Sequence, residues 1–546
     1  MSDAIEQQAK PVDATEPATV VPTHAAHPTH SDQMSTSQAG RPIELVFGLV
    51  GPTGVDQDQV IRALKRQLAS MDYKVEEVSL SDSIEGYDGP PPKHLDKYDR
   101  ISFLMDKGDD LRSRAKQENI VALLGIMKIR ARRQQMTGNP LEPHKTERVA
   151  YVVRSFKRPE EVSLFRDVYG KAFTLISIYA SRAHRVDYLK RDLKVRKTDD
   201  GTTSPEELAF HLMVRDYNEE GEPFGQRVGD TFPLADYFVV GEYRPDLEAQ
   251  LERLVRLIFG DPYISPTSDE QGMFFAQAAA LRSLDLSRQV GASIVTDEGD
   301  VLATGCNEVP KSGGGLYWAE DDAPGRDFER GEDANVRAKR ELVVDALNRL
   351  SGHLKELKQG ETIESLADAL LFEKPALLGD SKLFDVIEFG RAVHAEMAAI
   401  TTAAKLGTPI RGAKLFCTTF PCHICARHIV SAGIREVIFV EPYEKSRVSE
   451  LYQDSIVVEP QEKKSGRVVF RSFYGVAPRR YMDYFQPAIK RKNKDGRIRD
   501  VSEYGTSPRI RRLTFTYTAA EDVVVKEAKL PPKQEQLLFP EFKQEN

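Results

Sequence analysis

Two short stretches constrain this chain more than anything else in it: His394-Ala395-Glu396, and Pro421-Cys422-His423-Ile424-Cys425 shortly after. Together they supply the imidazole of His394, two thiols and a carboxylate, with a second imidazole at His423. A catalytic zinc takes three protein ligands and keeps its fourth position open, and His394, Cys422 and Cys425 fill that requirement. Two cysteines three apart at the start of a helix bring both sulfurs to one ion, and the helix N-terminus favours the thiolates. Glu396, two residues from a ligand, can stand beside the metal without binding it and is the candidate proton carrier. A closed structural site would need a fourth protein ligand, for which Cys417 and His423 are the nearby candidates. Zn2+ is the expected cofactor, with no organic one.

The spacing around these stretches predicts a layered α/β arrangement. Val290–Val295 and Val301–Thr304 read as paired strands around the turn Asp297-Glu298-Gly299-Asp300. His394–Leu406 reads as a helix, Lys414–Phe420 as a strand, Cys422–Ser431 as a helix and Arg435–Val440 as a strand. Gln271–Leu286 has helical character. A long, charged, largely helical segment separates Asn307 from His394.

Upstream, Ile43–Val50 is a short apolar run that ends in Gly51-Pro52-Thr53-Gly54 and leads into a helical pattern through Val60, Ile61, Leu64 and Leu68. Strand, glycine turn and helix start is the arrangement that cradles phosphate. Further strand-like runs at Val149–Val153, Phe173–Tyr179 and Ala235–Val240 alternate with helical patterns, which argues for a parallel sheet. The phosphate loop is degenerate. From Gly51, Asp56, Gln57 and Asp58 stand where glycine, lysine and a hydroxyl are needed, and Gly48 as the start does not restore the motif. Gly48, Gly51 and Gly54 remain as a loop without its lysine, so ATP hydrolysis is not expected. The basic residues Arg112, Arg114, Lys116, Lys128, Arg130, Arg132 and Arg133 read as a solvated helix face or as a phosphate or RNA contact.

Composition narrows the partners. A net charge of -8 argues against indiscriminate nucleic-acid binding. The four cysteines, Cys306, Cys417, Cys422 and Cys425, do not make a disulfide framework and fit a reduced cytosol, so a cytoplasmic location is expected. No apolar run is long enough to span a membrane, and the N-terminus lacks the basic start and apolar core of a signal peptide. Residues 1 to about 40 read as a disordered tail, in which His24, His27 and His30 are solvated residues rather than ligands. From about residue 487 the chain turns basic and then polar.

The paired motifs are the signature of zinc deaminases, and Val290–Val440 resembles the deoxycytidylate deaminase branch of that superfamily. The resemblance rests on Val290-Gly291-Ala292-Ser293-Ile294-Val295, on Ala303-Thr304-Gly305-Cys306-Asn307-Glu308-Val309-Pro310 and on the two metal motifs. It implies a five-stranded sheet flanked by helices and a nucleoside contact from Asn307. Lys311, Arg391 and Lys339 are candidate phosphate contacts, and Tyr317 and Trp318 candidate stacking aromatics. The insertion before His394 is longer than in simple members, and Cys306 stands where an aromatic is common.

The whole arrangement resembles bacterial anti-phage dCTP deaminases, which join a P-loop kinase-like domain to a deaminase domain. Gly48-Leu49-Val50-Gly51, Arg154–Val162 and Val476-Ala477-Pro478-Arg479-Arg480-Tyr481 carry this likeness. It implies a disordered tail over 1–40, a kinase-like parallel sheet over 41–262, a three-layer α/β/α deaminase over 263–486 and a basic extension over 487–546. Free deoxycytidine nucleotides as substrates, depletion of dCTP during infection, a homo-oligomer and, in some relatives, an inhibitory small RNA come with it. A deaminase acting on single-stranded DNA or RNA is the alternative.

Overall fold

In the computed structural model, Leu45–Val50 (β1) is buried along its whole length, so its near-continuous apolar sequence is that of a strand covered on both faces. Tyr73–Ser79 (β2), Arg148–Arg154 (β3) and Phe173–Tyr179 (β4) join it. Arg196–Thr198 (β5) and Gly201–Thr203 (β6) form a separate hairpin, and Tyr237–Val240 (β7) completes the parallel set. Gly291–Val295 (β8), Val301–Cys306 (β9), Lys414–Thr419 (β10), Glu436–Glu441 (β11), Ile456–Val458 (β12) and Val468–Ser472 (β13) make a second sheet. Gly475–Val476 (β14) follows. The structure describes residues 44–528 except 144–146, 199–200, 220, 243–246, 322–324, 352–361, 374–376, 379–380, 382–385, 443–445, 460–465, 488–489, 500–507 and 509–516. The tail at 1–40 with its three histidines, and most of the extension after 487, lie outside the described residues.

The first sheet has the order β14-β7-β4-β1-β3-β2, and all its pairings are parallel except that of β14. The order reverses direction at β1, which lies between β3 and β4. The helix Gln57–Ala69 starts there, with Asp56 as its cap accepting from Gln59 N. The second sheet has the order β12-β13-β11-β10-β8-β9. The β8–β9 hairpin is antiparallel, as the turn at Gly299 with its φ of +99° predicts, and β10, β11 and β13 run parallel. This is six strands where the resemblance implies five: Ile456–Val458 adds itself to the edge of β13.

Gly475–Val476 sits in the first sheet although it follows the second in sequence, pairing with Phe238 and Tyr237 of β7. Tyr217 also donates to the Pro442 carbonyl at 3.0 Å, and the Tyr179 and Phe439 rings meet at 6.0 Å.

The basic cluster is neither one helix nor a wholly solvated face. It spans two helices, Lys97–Ala115 and Ile120–Thr137. Arg112, Arg130 and Arg133 are buried, because carboxylates meet them inside. Arg133 pairs with Glu44 at 2.7 Å and with Glu521 at 2.6 Å, Arg130 with Asp522 at 3.1 Å, and Arg112 with Glu161 at 2.8 Å. A buried guanidinium without such partners would carry a penalty of several kcal/mol. Glu521 and Asp522 belong to the helix Tyr517–Glu527, which these pairs fasten to the first layer. No described helix is long and apolar enough to cross a membrane.

Candidate active site

Two helix starts face each other at the second sheet. His394 caps the helix Ala395–Leu406, and Cys422 caps the helix His423–Ser431, its sulfur accepting from Cys425 N at 3.5 Å. The first helix lies close on β9 because residue 305 is glycine. A Cβ there would meet Ala399 N at 2.3 Å and Ala395 O at 2.4 Å. Gly291 does the same for the helix Ser268–Ala280 on β8, where a Cβ would meet Ala276 O at 1.9 Å. The two glycines set the depth at which the helices sit on the hairpin, and so where His394 and Glu396 stand.

His394 Nδ1 lies 3.3 Å from Cys422 Sγ and 3.4 Å from Cys425 Sγ, and the three donor atoms are all within 4.8 Å of one another. Tetrahedral zinc with ordinary Zn–N and Zn–S bonds places nitrogen and sulfur ligands about 3.6 Å apart, so this donor set fits the ion. Glu396 is 3% exposed, and its carboxylate receives the Cys425 thiol at 3.4 Å. Hydrogen bonding, first from the Cys425 side chain and then with His394, brings the Cys422 thiol down to about 4. The same contact with Cys422, followed by burial, holds the Cys425 thiol well above its usual range. His394 is raised, chiefly by its hydrogen bond to Cys422. Burial raises the Glu396 carboxyl, and the neighbouring Cys422 adds to this.

A cleft of about 230 Å³ opens onto this cluster. Its walls come from four places: the loop before β8 (Asp285, Ser287, Arg288), the start of the helix at Ala395, the segment between Asn307 and His394, and the end of β10 with the cysteine motif (Thr419, Phe420, Cys422). That loop exists because the helix expected to reach Leu286 ends at Ala280. Ser283 Oγ donates to the Asn307 carbonyl at 2.7 Å, and Leu284 N donates to Glu308 at 3.2 Å, which turns the chain away from the helix axis. The long insertion contributes Asp327, Asp333, Asn335, Ile387 and Arg391.

Asn307 lines the cleft, and its amide is held from behind: it accepts from Val290 N at 2.7 Å and donates to the Arg288 carbonyl at 2.7 Å. Arg391 lines it too, bonded to Asp327 at 2.5 Å and to the Gly325 carbonyl at 2.9 Å. Lys311 is not among the lining residues; its ammonium is paired with Asp321 at 2.7 Å. Lys339 lies on the helix Ala334–Leu350 and is not in the lining. Trp318 is half-exposed beneath the Arg282 guanidinium, 3.5 Å from the ring centre, and neither it nor Tyr317 lines the cleft. The lining aromatic is Phe420, next to Pro421. Its position beside the metal motif could have marked it, whereas nothing local marks Asp327 or Asn335. Cys306 and Cys417 are buried strand residues outside the three-donor group. His423 faces Glu388 at 3.5 Å.

Gly48, Gly51 and Gly54 lie at the other sheet. Gly48 is inside β1, where a Cβ would meet Phe173 at 2.8 Å, and Gly51 and Gly54 form the turn after it.

Residues 266–441 match the family described as the cytidine and deoxycytidylate deaminase zinc-binding region. ComE operon protein 2 of Bacillus subtilis is 35% identical over 80 residues, which is 14% of this chain and 42% of that protein. The deoxycytidylate deaminase of Enterobacteria phage T2 is 40% identical over 55 residues, 10% of this chain and 29% of the relative. The chain therefore spans less than half the length of these curated relatives. Among solved structures, the apo dCMP deaminase of cyanophage S-TIM5 aligns over 38% of this chain and 99% of its own, at 19% identity and a TM-score of 0.20. With the family match and the converging His, Cys and Cys donors taken together, residues 266–441 carry a zinc-binding region of the cytidine and deoxycytidylate deaminase type, and zinc is its cofactor.

Proposed function

We propose that this chain hydrolyses the 4-amino group of free deoxycytidine nucleotides, converting dCTP to dUTP and dCMP to dUMP with release of ammonia. The observation that carries this reading is a buried carboxylate, Glu396, set beside three converging metal donors at the floor of a cleft of about 230 Å³. His394, Cys422 and Cys425 would hold the zinc, which when bound would supply Lewis acidity that activates a water for attack. Glu396 takes one proton from the attacking water and delivers it to ring nitrogen N3; it then takes the proton of the hydroxyl now on C4 and passes it to the amine, which leaves as ammonia as the C4–N bond breaks and the carbonyl forms. Burial of that carboxylate keeps bulk water from competing for the proton. Asn307, clamped by Val290 N and the Arg288 carbonyl, presents a fixed edge to the nucleoside.

Two features support a free nucleotide over a polynucleotide. The insertion before His394 walls the cleft, and the two arginines of the lining, Arg288 and Arg391, are held by Glu441 at 2.7 Å and Asp327 at 2.5 Å, so a phosphate tail would have to share them with these carboxylates. A strand-binding groove would want several stacking aromatics, and the described lining offers Phe420. We read residues 41–262 as a kinase-like scaffold, residues 263–486 as the deaminase, and dCTP depletion during phage infection as the biological output. The order of the parts along the chain supports that placement.

The test is incubation of the purified chain with a panel of cytidine and deoxycytidine mono-, di- and triphosphates and single-stranded DNA, with products identified by mass spectrometry. Conversion of dCTP and dCMP is expected. Deamination of cytosine in the polymer alone contradicts the reading.

A further inference from the structure

The first sheet has its own crevice, of about 310 Å³, at the carboxyl ends of its strands, where the strand order reverses at β1. Ligands of open parallel sheets bind at this position. The glycine turn Gly51–Gly54 forms one rim, and the end of β3 at Arg154 with the following loop through Lys157 forms another. A backbone N–H in such a turn and a nearby ammonium are the two donors a phosphate oxygen would use.

Both donors are already engaged. Thr53 N donates to Asp216 Oδ2 at 2.7 Å, and Lys157 Nζ donates to Asp216 Oδ1 at 2.6 Å. Asp216 comes from the helix Pro205–Tyr217, 163 residues beyond Thr53, and is wholly buried. The other cations lining the crevice also face carboxylates, Arg112 in a buried pair and Arg154 and Lys97 in exposed ones. Arg154 pairs with Asp58 at 2.5 Å, Arg112 with Glu161 at 2.8 Å, and Lys97 with Asp192 at 3.7 Å. Among the described lining residues, every lysine and arginine has a carboxylate partner.

We propose that this turn is an anion site filled from within: the Asp216 carboxylate holds the place of a phosphate oxygen, and the crevice accepts a polyphosphate only when that charge is removed. A missing P-loop lysine alone would only weaken nucleotide binding; the internal carboxylate goes further, because it makes the turn a closed contact between the helix Pro205–Tyr217 and the first sheet. An incoming polyphosphate meets Asp216 at the donors and Asp58 at the rim.

Isothermal titration of the full chain with inorganic triphosphate tests this, with Asp216→Asn and Asp216→Ala compared against the unaltered protein. Asp216→Asn keeps the shape and removes the charge, so it is expected to fold. Each variant should bind triphosphate at least roughly tenfold more tightly, the scale of one charge-assisted hydrogen bond regained. Adding Lys157→Ala should remove the gain, which separates this site from the deaminase cleft. The proposal is overturned if the unaltered chain already binds triphosphate as tightly as Asp216→Asn in a Lys157-dependent way. It is equally overturned if the folded variants gain nothing. Should neither variant fold, Lys157→Met in the otherwise unaltered chain decides: unchanged triphosphate affinity is expected, and a loss contradicts the closed turn.

Discussion

The cleft on the second sheet and the crevice on the first are each built where helices start against strands, yet their charges are arranged in opposite ways. At the centre of the cleft, His394, Cys422, Cys425 and Glu396 converge on one another and leave room for an ion and a substrate. In the crevice, Thr53 N, Lys157, Arg154 and Arg112 each answer a carboxylate of the chain. A donor set that converges without being neutralised is a site poised for an outside ligand. A donor set satisfied internally is a structural joint, whatever loop it is built on.

The comparison can be broken most sharply at the metal donors. Cys422→Ser should lose zinc, read by metal analysis of the purified protein, and deamination should fall by more than about a hundredfold. If zinc stays bound at full occupancy with Cys422 gone, the donor set is wrong. Next comes the seating of the metal helix. In Gly305→Ala the new methyl meets the backbone of Ala395 and Ala399, so stability should drop by about 1–3 kcal/mol in urea unfolding and activity should drop with it. Full activity with unchanged stability would mean that the helix has slack on β9.

A third prediction concerns the first sheet. Burial, with the nearby Glu219 charge adding, raises the Asp109 carboxyl from 3.8 to about 7, against Arg112 and Arg215. A carboxyl raised on folding contributes stability in full below its unfolded value and loses it as the pH climbs through the folded value. The unaltered chain should therefore lose stability between about pH 4 and about pH 8 more steeply than Asp109→Asn. Coincident slopes in urea unfolding would remove Asp109 from the account. The smallest effect is expected at Lys311. Its partner Asp321 holds it away from the cleft lining, so Lys311→Ala should change KM by less than about twofold.

Much of the His394, Cys422 and Cys425 donor group was legible because it depends on short spacing. H-x-E and C-x-x-C place donors at helix starts, and both helices begin where the motifs say, with His394 and Cys422 as their caps. The β8–β9 hairpin and the strand at Leu45–Val50 were legible for similar local reasons. What stayed hidden is long-range. Val476 joins a sheet that begins more than four hundred residues earlier, at Leu45. Asp216 reaches Thr53 across 163 positions, and Asp327 and Asn335 reach the cleft from an insertion whose sequence reads only as charged helix. The basic residues at Arg112, Arg130 and Arg133 read as surface because their carboxylates, Glu161, Asp522, Glu44 and Glu521, are distant in sequence. Periodicity records which face of an element is apolar; it carries no record of which distant charge will meet a cation there.

The most direct test of the central claim is a single comparison: dCTP and dCMP turnover by the unaltered chain and by Glu396→Gln, with zinc content measured on the same samples. The account predicts that both proteins hold about one zinc per chain, and that turnover in the variant falls by about a hundredfold to ten-thousandfold because the proton carrier is gone. Comparable turnover in the zinc-loaded variant would contradict it.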